Sequence, residues 1–321
     1  MRNFLFILFI VGLTAFSIIG CERSMTKPIM ESITATETPT AEDPEAFAVT
    51  LVQAAINLYK TEGRDATIAY YNDPASIDGQ WYVFIINENN IFVAHPANPS
   101  SVGRPIEDID GVDRASLGME IAMATEEGLW TEYLWPNPDT NKLGQKRTWS
   151  IRYDGYLFSS GYYQTWNPDP ATFSIASKDD PEAFTRNIVL QAIARYEFEG
   201  IEATAAYYNN PANIDGQWYV VIIDENDRHV AHAPRPDFIG TDLKDIMGLD
   251  GKRMLGAEIA AATGTGLWIE YLWPNPETGK DEQKRGWAIR HDGYLFGSGY
   301  YEPTTEDTEL LVEGTVVPPS N

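Results

Sequence analysis

From residue 44 to residue 71 the apolar side chains Phe47, Leu51, Ala54, Ala55, Leu58 and Tyr59 recur at helical spacing. That is the stripe of a helix laid on a core. Asp43 before Pro44 marks its start, with Asp as N-cap and Pro in the first turn. The period then shortens. WYVFII (81–86) is a continuous apolar run of aromatic and β-branched residues and predicts an interior strand, NENN (87–90) a hairpin turn, and IFVAH a second short strand. Gly111 to Thr125 reads as a helix with Leu117, Ile121 and Ala124 inward. Three strands follow, at 129–135, 146–153 and 156–162, joined by a Pro-Asn-Pro loop and by the tight Asp154-Gly155 turn. Consecutive strands with short connections make an antiparallel sheet. The pattern therefore predicts an α+β unit: one long N-terminal helix and an antiparallel sheet of about five strands.

The whole pattern is then written a second time. DPEAF at 43–47 recurs at 180–184, IDGQWYV at 77–83 at 214–220, VAH at 93–95 at 230–232, and DGYLF at 154–158 at 292–296. The offset is 137 up to Asp113 and 138 afterwards, so the second copy carries one extra residue near Gly251. A period of this length is a domain and not a solenoid unit. It predicts two tandem domains, 43–163 and 180–301, with 164–179 as linker and 302–321 as tail.

The first 21 residues do not fit the repeat. One cation, Arg2, precedes an apolar run from Phe4 to Ile19, too short for a typical span and suited to a signal-peptide core. Gly20 and then Cys21, the sole cysteine of the chain, follow. This resembles a bacterial lipobox, which implies a signal peptide over 1–20 and a lipid on Cys21. Ile19 departs from the small residue usual there, and an uncleaved anchor or a plain secretory signal are the alternatives. Each of these places the body outside the cytoplasm. Residues 21–42, rich in Thr, Glu, Ser and Pro, read as a flexible tether, anchored at Cys21 under the lipobox reading. With no second Cys there is no disulfide to form.

Charge narrows the function. Against 47 Asp+Glu stand 23 Lys+Arg, a formal net charge of −24. Nucleic-acid binding needs a net basic surface and is not expected. Eight of the cations fall in two matching windows, Lys142, Lys146, Arg147 and Arg152, then Lys280, Lys284, Arg285 and Arg290. Each window lies beside EYLWPNP, at 132–138 and 270–276. Side chains alternate along a strand, so Tyr133 and Trp135 share a face, and Arg147 and Trp149 share one that Lys146 does not. A cation set among aromatic rings can hold a carboxylate, by hydrogen bonds from the cation and exclusion of water by the rings. A one-residue shift of register exchanges Lys146 for Arg147, so the choice between them stays open. Equally, Trp and Tyr in a strand can be plain core, and Lys-Arg pairs can simply meet local acids such as Glu132 and Asp139.

The order of a long helix, WYVFIINENNIFVAHP, a glycine at 103, WTEYLWPNP, QKRTWSI and YLFSSGYY resembles the Cache family, in its single-Cache type 2 form, over nearly all of both copies. The resemblance implies PAS-like extracytoplasmic sensor domains that bind small ligands, often short carboxylates. Copy two departs from it with His232-Ala233-Pro234 in place of His95-Pro96, and Arg147 and Arg285 fill a position that is commonly apolar in the family. The residues implied as ligand contacts are His95, Tyr133, Trp135, Lys146, Arg147 and Trp149, and in copy two His232, Tyr271, Trp273, Lys284, Arg285 and Trp287. A further difference, Tyr153 against His291, could tune one site to pH.

The expectation is then a free-standing, membrane-anchored binding protein that takes a small carboxylate or other anionic metabolite, with a membrane receptor or transporter as the partner it reports to. An extracellular interaction or sugar-binding module is the alternative, and the direction in which Trp135 and Trp273 point discriminates the two. No metal or other cofactor is expected. Asp108, Asp110 and Asp113 lack EF-hand spacing, and copy two keeps only Asp245 and Asp250. Enzyme motifs are missing as well: there is no Gly-x-Ser-x-Gly and no P-loop.

Overall fold

Asp43 accepts a hydrogen bond from Ala46 N and starts α1, Pro44–Glu62, in the computed structural model, which describes residues 42–302. The expectations for the signal segment, Cys21, the tether up to residue 41 and the tail beyond Glu302 fall outside the described residues. The single long helix expected over 44–71 is two. At Gly63 the backbone turns to φ 85° and ψ 171°, and α2, Arg64–Asn72, follows. Only glycine adopts that conformation at little cost.

The first copy continues with β1, Val83–Ile86, β2, Phe92–Ala94, and a short α3, Leu117–Ala122. Its last strands are β3, Leu129–Pro136, β4, Leu143–Tyr153, and β5, Tyr156–Gln164. The strands form one antiparallel sheet in the order β2-β1-β5-β4-β3. The helix expected over 111–125 shrinks to six residues because its first half makes other bonds. Ser116 takes a left-handed φ of 64°, and its N–H donates to Asp110 Oδ1 at 3.2 Å. Leu117, Ile121 and Ala124 are buried as the spacing required.

The second copy repeats the plan. α4, Pro181–Asn209, carries the same glycine break inside it, at Gly200 with φ 81° and ψ 168°. Then come β6, Val221–Ile223, β7, His229–His232, α5, Leu255–Ala260, β8, Leu267–Pro274, β9, Asp281–His291, and β10, Tyr294–Tyr301. Their sheet order is β7-β6-β10-β9-β8. The linker is tied to α4: Asn187 Oδ1 accepts from Ala176 N at 2.7 Å, and Gln191 donates to Pro170 O at 3.0 Å.

In each copy the long helix packs on one face of the sheet, α1 across β5 and β4 and α4 across β10 and β9. The other face is covered by the loops and the short helix between the second and third strands. The described residues all fall within one compact unit. Arg186 of α4 ties the copies together, donating to Gly111 O at 2.9 Å and Asp110 Oδ2 at 2.8 Å in the loop that covers the first sheet.

Candidate functional site

The register of the third and fourth strands sorts the expected site residues. Tyr133 stands directly opposite Lys146, and Glu132 opposite Arg147. In the second copy Tyr271 faces Lys284 and Glu270 faces Arg285. Opposite residues of an antiparallel pair share a face. Lys146 and Lys284 therefore belong with Tyr133, Trp135, Tyr271 and Trp273, under the loop-covered face.

Arg147, Trp149, Arg285 and Trp287 lie on the helix-covered face, so the sheet separates them from that group. Arg147 pairs with Glu45 of α1 and, at 3.1 Å, with Glu132, and its guanidinium lies 4.6 Å from the Trp130 ring centre. Arg285 repeats this with Glu182, with Glu270 at 3.7 Å, and with Trp268 at 4.9 Å. These arginines bind the helix to the sheet. Their carboxylate partners come from the chain itself, which is the local-acid alternative left open by the sequence.

The two lysines are unlike them. Lys146 is 1% exposed and Lys284 2%, and among the described residues no carboxylate lies within ion-pair distance of either. Burial pushes both ammonium groups well below their ordinary value. Ring faces supply part of the missing solvation: Lys284 Nζ is 3.8 Å from the Tyr219 ring centre and 4.9 Å from that of Tyr301. A Cβ on Gly299 would come 2.7 Å from Lys284 Cε, so only glycine lets the lysine stem pass.

Around Lys284 there is room. A cavity of about 70 Å³ is bounded by Tyr219, His232, Phe238, Tyr271, Trp273 and Lys284 at its polar side and by Val221, Ile223, Leu243, Ile246, Leu255 and Ile269 elsewhere. The positions that open it differ between the copies. Gly286, Ala288 and Gly297 line it where the first copy has Thr148, Ser150 and Ser159. In the first copy those larger side chains bond to one another and to the tyrosine above. Thr148 Oγ1 is 2.8 Å from Tyr133 Oη, and Ser159 Oγ is 2.8 Å from Ser150 Oγ. Lys146 itself donates to Tyr82 Oη. In the first copy these hydroxyl groups and the lysine thus partner one another and the tyrosines, while in the second Tyr271 has lost the threonine partner.

His95 directly follows β2 and His232 ends β7, and both are buried. The backbone N–H of each donates to an asparagine of the helix, Asn72 at 3.3 Å and Asn209 at 3.0 Å. His95 Nδ1 accepts from Asn98 N at 2.9 Å, and its ring stacks on Phe84. His232 Nδ1 is buried without a partner among the described residues, and its ring centre is 5.4 Å from that of Tyr219. Burial, then the neighbouring lysine, holds both imidazoles neutral, down to about 3. His291 is not at the cavity. It sits where the copies meet, its Nδ1 accepting from Leu143 N at 3.1 Å.

The sequence reading missed Tyr219, Phe238, Tyr301 and the small residues Gly286, Ala288 and Gly297. The signal was present in the repeat: aligned copies show the inner-face positions of β9 and β10 shrinking relative to β4 and β5.

A family model described as Single Cache domain 2 matches residues 54–159 and again 195–302. No curated protein matches the chain. Solved structures similar to it include a methyl-accepting chemotaxis protein from Vibrio parahaemolyticus, 17% identical with a TM-score of 0.33 over 38% of this chain and 87% of that one. A periplasmic sensor domain of a chemotaxis protein is 25% identical, TM-score 0.29, over 36% and 86%. A Cache chemosensory domain solved for carboxylic acid recognition is 18% identical, TM-score 0.30, over 36% and 90%.

Proposed function

The chain belongs to the single Cache domain 2 family and carries two of its domains in tandem, and on that premise we propose that it is a sensor-type binding protein whose second copy takes a small monocarboxylate. The observation that carries this reading is Lys284: a buried ammonium with no acid partner among the described residues, on the wall of a mostly aliphatic cavity. A ligand carboxylate supplies the missing counter-charge, Tyr271 adds a hydroxyl donor, and a short alkyl chain lies against Val221, Ile223 and Leu255. The first copy, with Thr148, Ser150 and Ser159 in the same place, serves as scaffold. Trp135 and Trp273 are buried, 8% and 6% exposed, which supports a small molecule over a pyranose stacked on an open face.

Among the described residues no helix is long and apolar enough to cross a membrane. The lipobox-like run ending at Cys21 supports an extracytoplasmic protein held to the membrane by lipid, reporting to a receptor or transporter. Isothermal calorimetry of the full chain with acetate, propionate and butyrate tests the binding. One site per chain is expected, lost in Lys284→Met and kept in Lys146→Met. Binding that survives Lys284→Met, or that follows Lys146 instead, would sink the assignment.

A further inference from the structure

Lys284 has two properties that carboxylate binding alone does not use. Its amine is enclosed by rings and aliphatic side chains, with no carboxylate beside it among the described residues. It also borders a cavity with space for a few non-hydrogen atoms. An amine that is kept from water and lacks an acid partner spends more of its time unprotonated, and the unprotonated amine is the nucleophile in carbonyl chemistry.

We propose that Lys284 also captures small aliphatic aldehydes reversibly, as an imine in the second-copy cavity. The Nζ lone pair bonds to the carbonyl carbon, and one amine proton passes to the carbonyl oxygen to give a carbinolamine. The second N–H proton leaves with that hydroxyl as water, and the nitrogen pair closes the C=N bond. Amine plus aldehyde gives imine plus water, with nothing oxidised or reduced. The product is uncharged, so it needs no counter-ion in an apolar pocket, unlike a bound carboxylate. The alkyl chain of the aldehyde meets the same wall, Ile223, Leu243 and Ile269, that a monocarboxylate would meet. Tyr271, freed of a threonine partner by Gly286, can hold the carbinolamine oxygen.

Lys146 is the internal control. It is equally buried, but its amine donates to Tyr82, and Thr148, Ser150 and Ser159 occupy the corresponding space. Exposed lysines such as Lys244, 70% exposed at its side chain, are the second control.

The inference rests on the second-copy cavity being a ligand site, so both ideas are measured on one preparation. The full chain is treated with butanal and cyanoborohydride at pH 7, digested, and mapped by peptide mass. Lys284 is expected to be butylated faster than the exposed Lys244, because burial lowers its ammonium and leaves more of it neutral at pH 7. Lys284→Met should remove that adduct and leave the one on Lys244. Gly286→Thr, which keeps the lysine and fills the cavity, should slow labelling of Lys284 to the rate of Lys146. Propionate should protect Lys284. Labelling confined to exposed lysines overturns imine capture, as does labelling of Lys146 as fast as Lys284. If propionate binds in calorimetry while Lys284 stays unlabelled, imine capture alone falls; if neither is seen, the cavity reading falls with it.

Discussion

Thr148 and Gly286 occupy the same place in the two copies with opposite effects. Thr148 closes on the hydroxyl of Tyr133 at 2.8 Å, whereas a Cβ at Gly286 would meet the hydroxyl of Tyr271 at 3.0 Å. Gly286→Thr should therefore give the second copy the network of the first. Propionate affinity is expected to fall at least about tenfold, which is ~1.4 kcal/mol, while stability in urea changes by no more than about 1 kcal/mol, the worth of one hydrogen bond. Lys284→Met makes the complementary case. It removes an amine whose burial is uncompensated in the empty cavity, so the ligand-free protein should gain ~1–3 kcal/mol in urea denaturation, reduced by whatever the Tyr219 and Tyr301 ring faces contribute. A loss of stability would mean that those rings already hold the charged lysine well. At this scale the sequence showed the cations and the rings but not which cation faced the rings. Alternation along a strand gives two sets and leaves their assignment to register. Glu132 and Glu270 held the missing clue: each stands opposite an arginine, so the arginine face already has its carboxylate.

Helices and strands were legible in type and order because each carries its own period, and because every reading could be made twice. Their limits were less so, for reasons of bonding. The stripe from Phe47 to Tyr59 predicts one helix over 44–71, yet the helix breaks at Gly63, since a glycine backbone can leave the helical region at little cost. Leu117, Ile121 and Ala124 predict a helix over 111–125, but Asp110 draws the backbone N–H of Ser116 out of a helical bond, so it starts only at Leu117. Both breaks, Gly63 and Gly200, have φ above 80°, and among the described residues no heavy atom lies within 4 Å of where a Cβ would be. Alanine at either position would meet strain without a clash. Gly63→Ala and Gly200→Ala are each expected to lose ~1–3 kcal/mol in urea denaturation, with ligand binding retained. A neutral result would show that the two helical segments can join into one.

Between the copies the chain builds a contact that the repeat alone could not reveal, because it pairs unlike ends of like domains. Lys142, in the β3–β4 hairpin of the first copy, reaches Glu197 of α4 at 3.1 Å and Asp292 of the β9–β10 turn at 3.0 Å. His291 bonds Glu197 through Nε2 at 2.7 Å and accepts from Leu143 N through Nδ1, and Tyr196 donates to Asp292 at 2.8 Å. Accepting at Nδ1 requires an imidazole without a proton there. Burial lowers the His291 pKa from its ordinary 6.5, against the pull of Glu197 toward the charged form. His229 is lowered by burial too, and His95 and His232 reach about 3. A group depressed in the folded state binds its proton first in the unfolded chain, so its contribution to stability is whole above pH 6.5 and is lost as pH falls through that value toward the folded one. His95 and His232 together should give a slope of about 2.7 kcal/mol per pH unit between roughly pH 6 and 4, at ~1.4 for each proton taken up. His229 and His291 steepen its upper part. Urea midpoints measured across that range check the slope, and a flat profile would mean that the buried histidines ionise in place. His291→Phe isolates the contact between the copies. It leaves the buried Leu143 N without its acceptor and Glu197 with Lys142 alone, at a cost of ~1–3 kcal/mol at pH 7.5, and it removes one proton from the uptake. The wild-type and variant stabilities should therefore converge as the solution is made acidic, and a constant gap across the range would show that His291 is held there without regard to its charge.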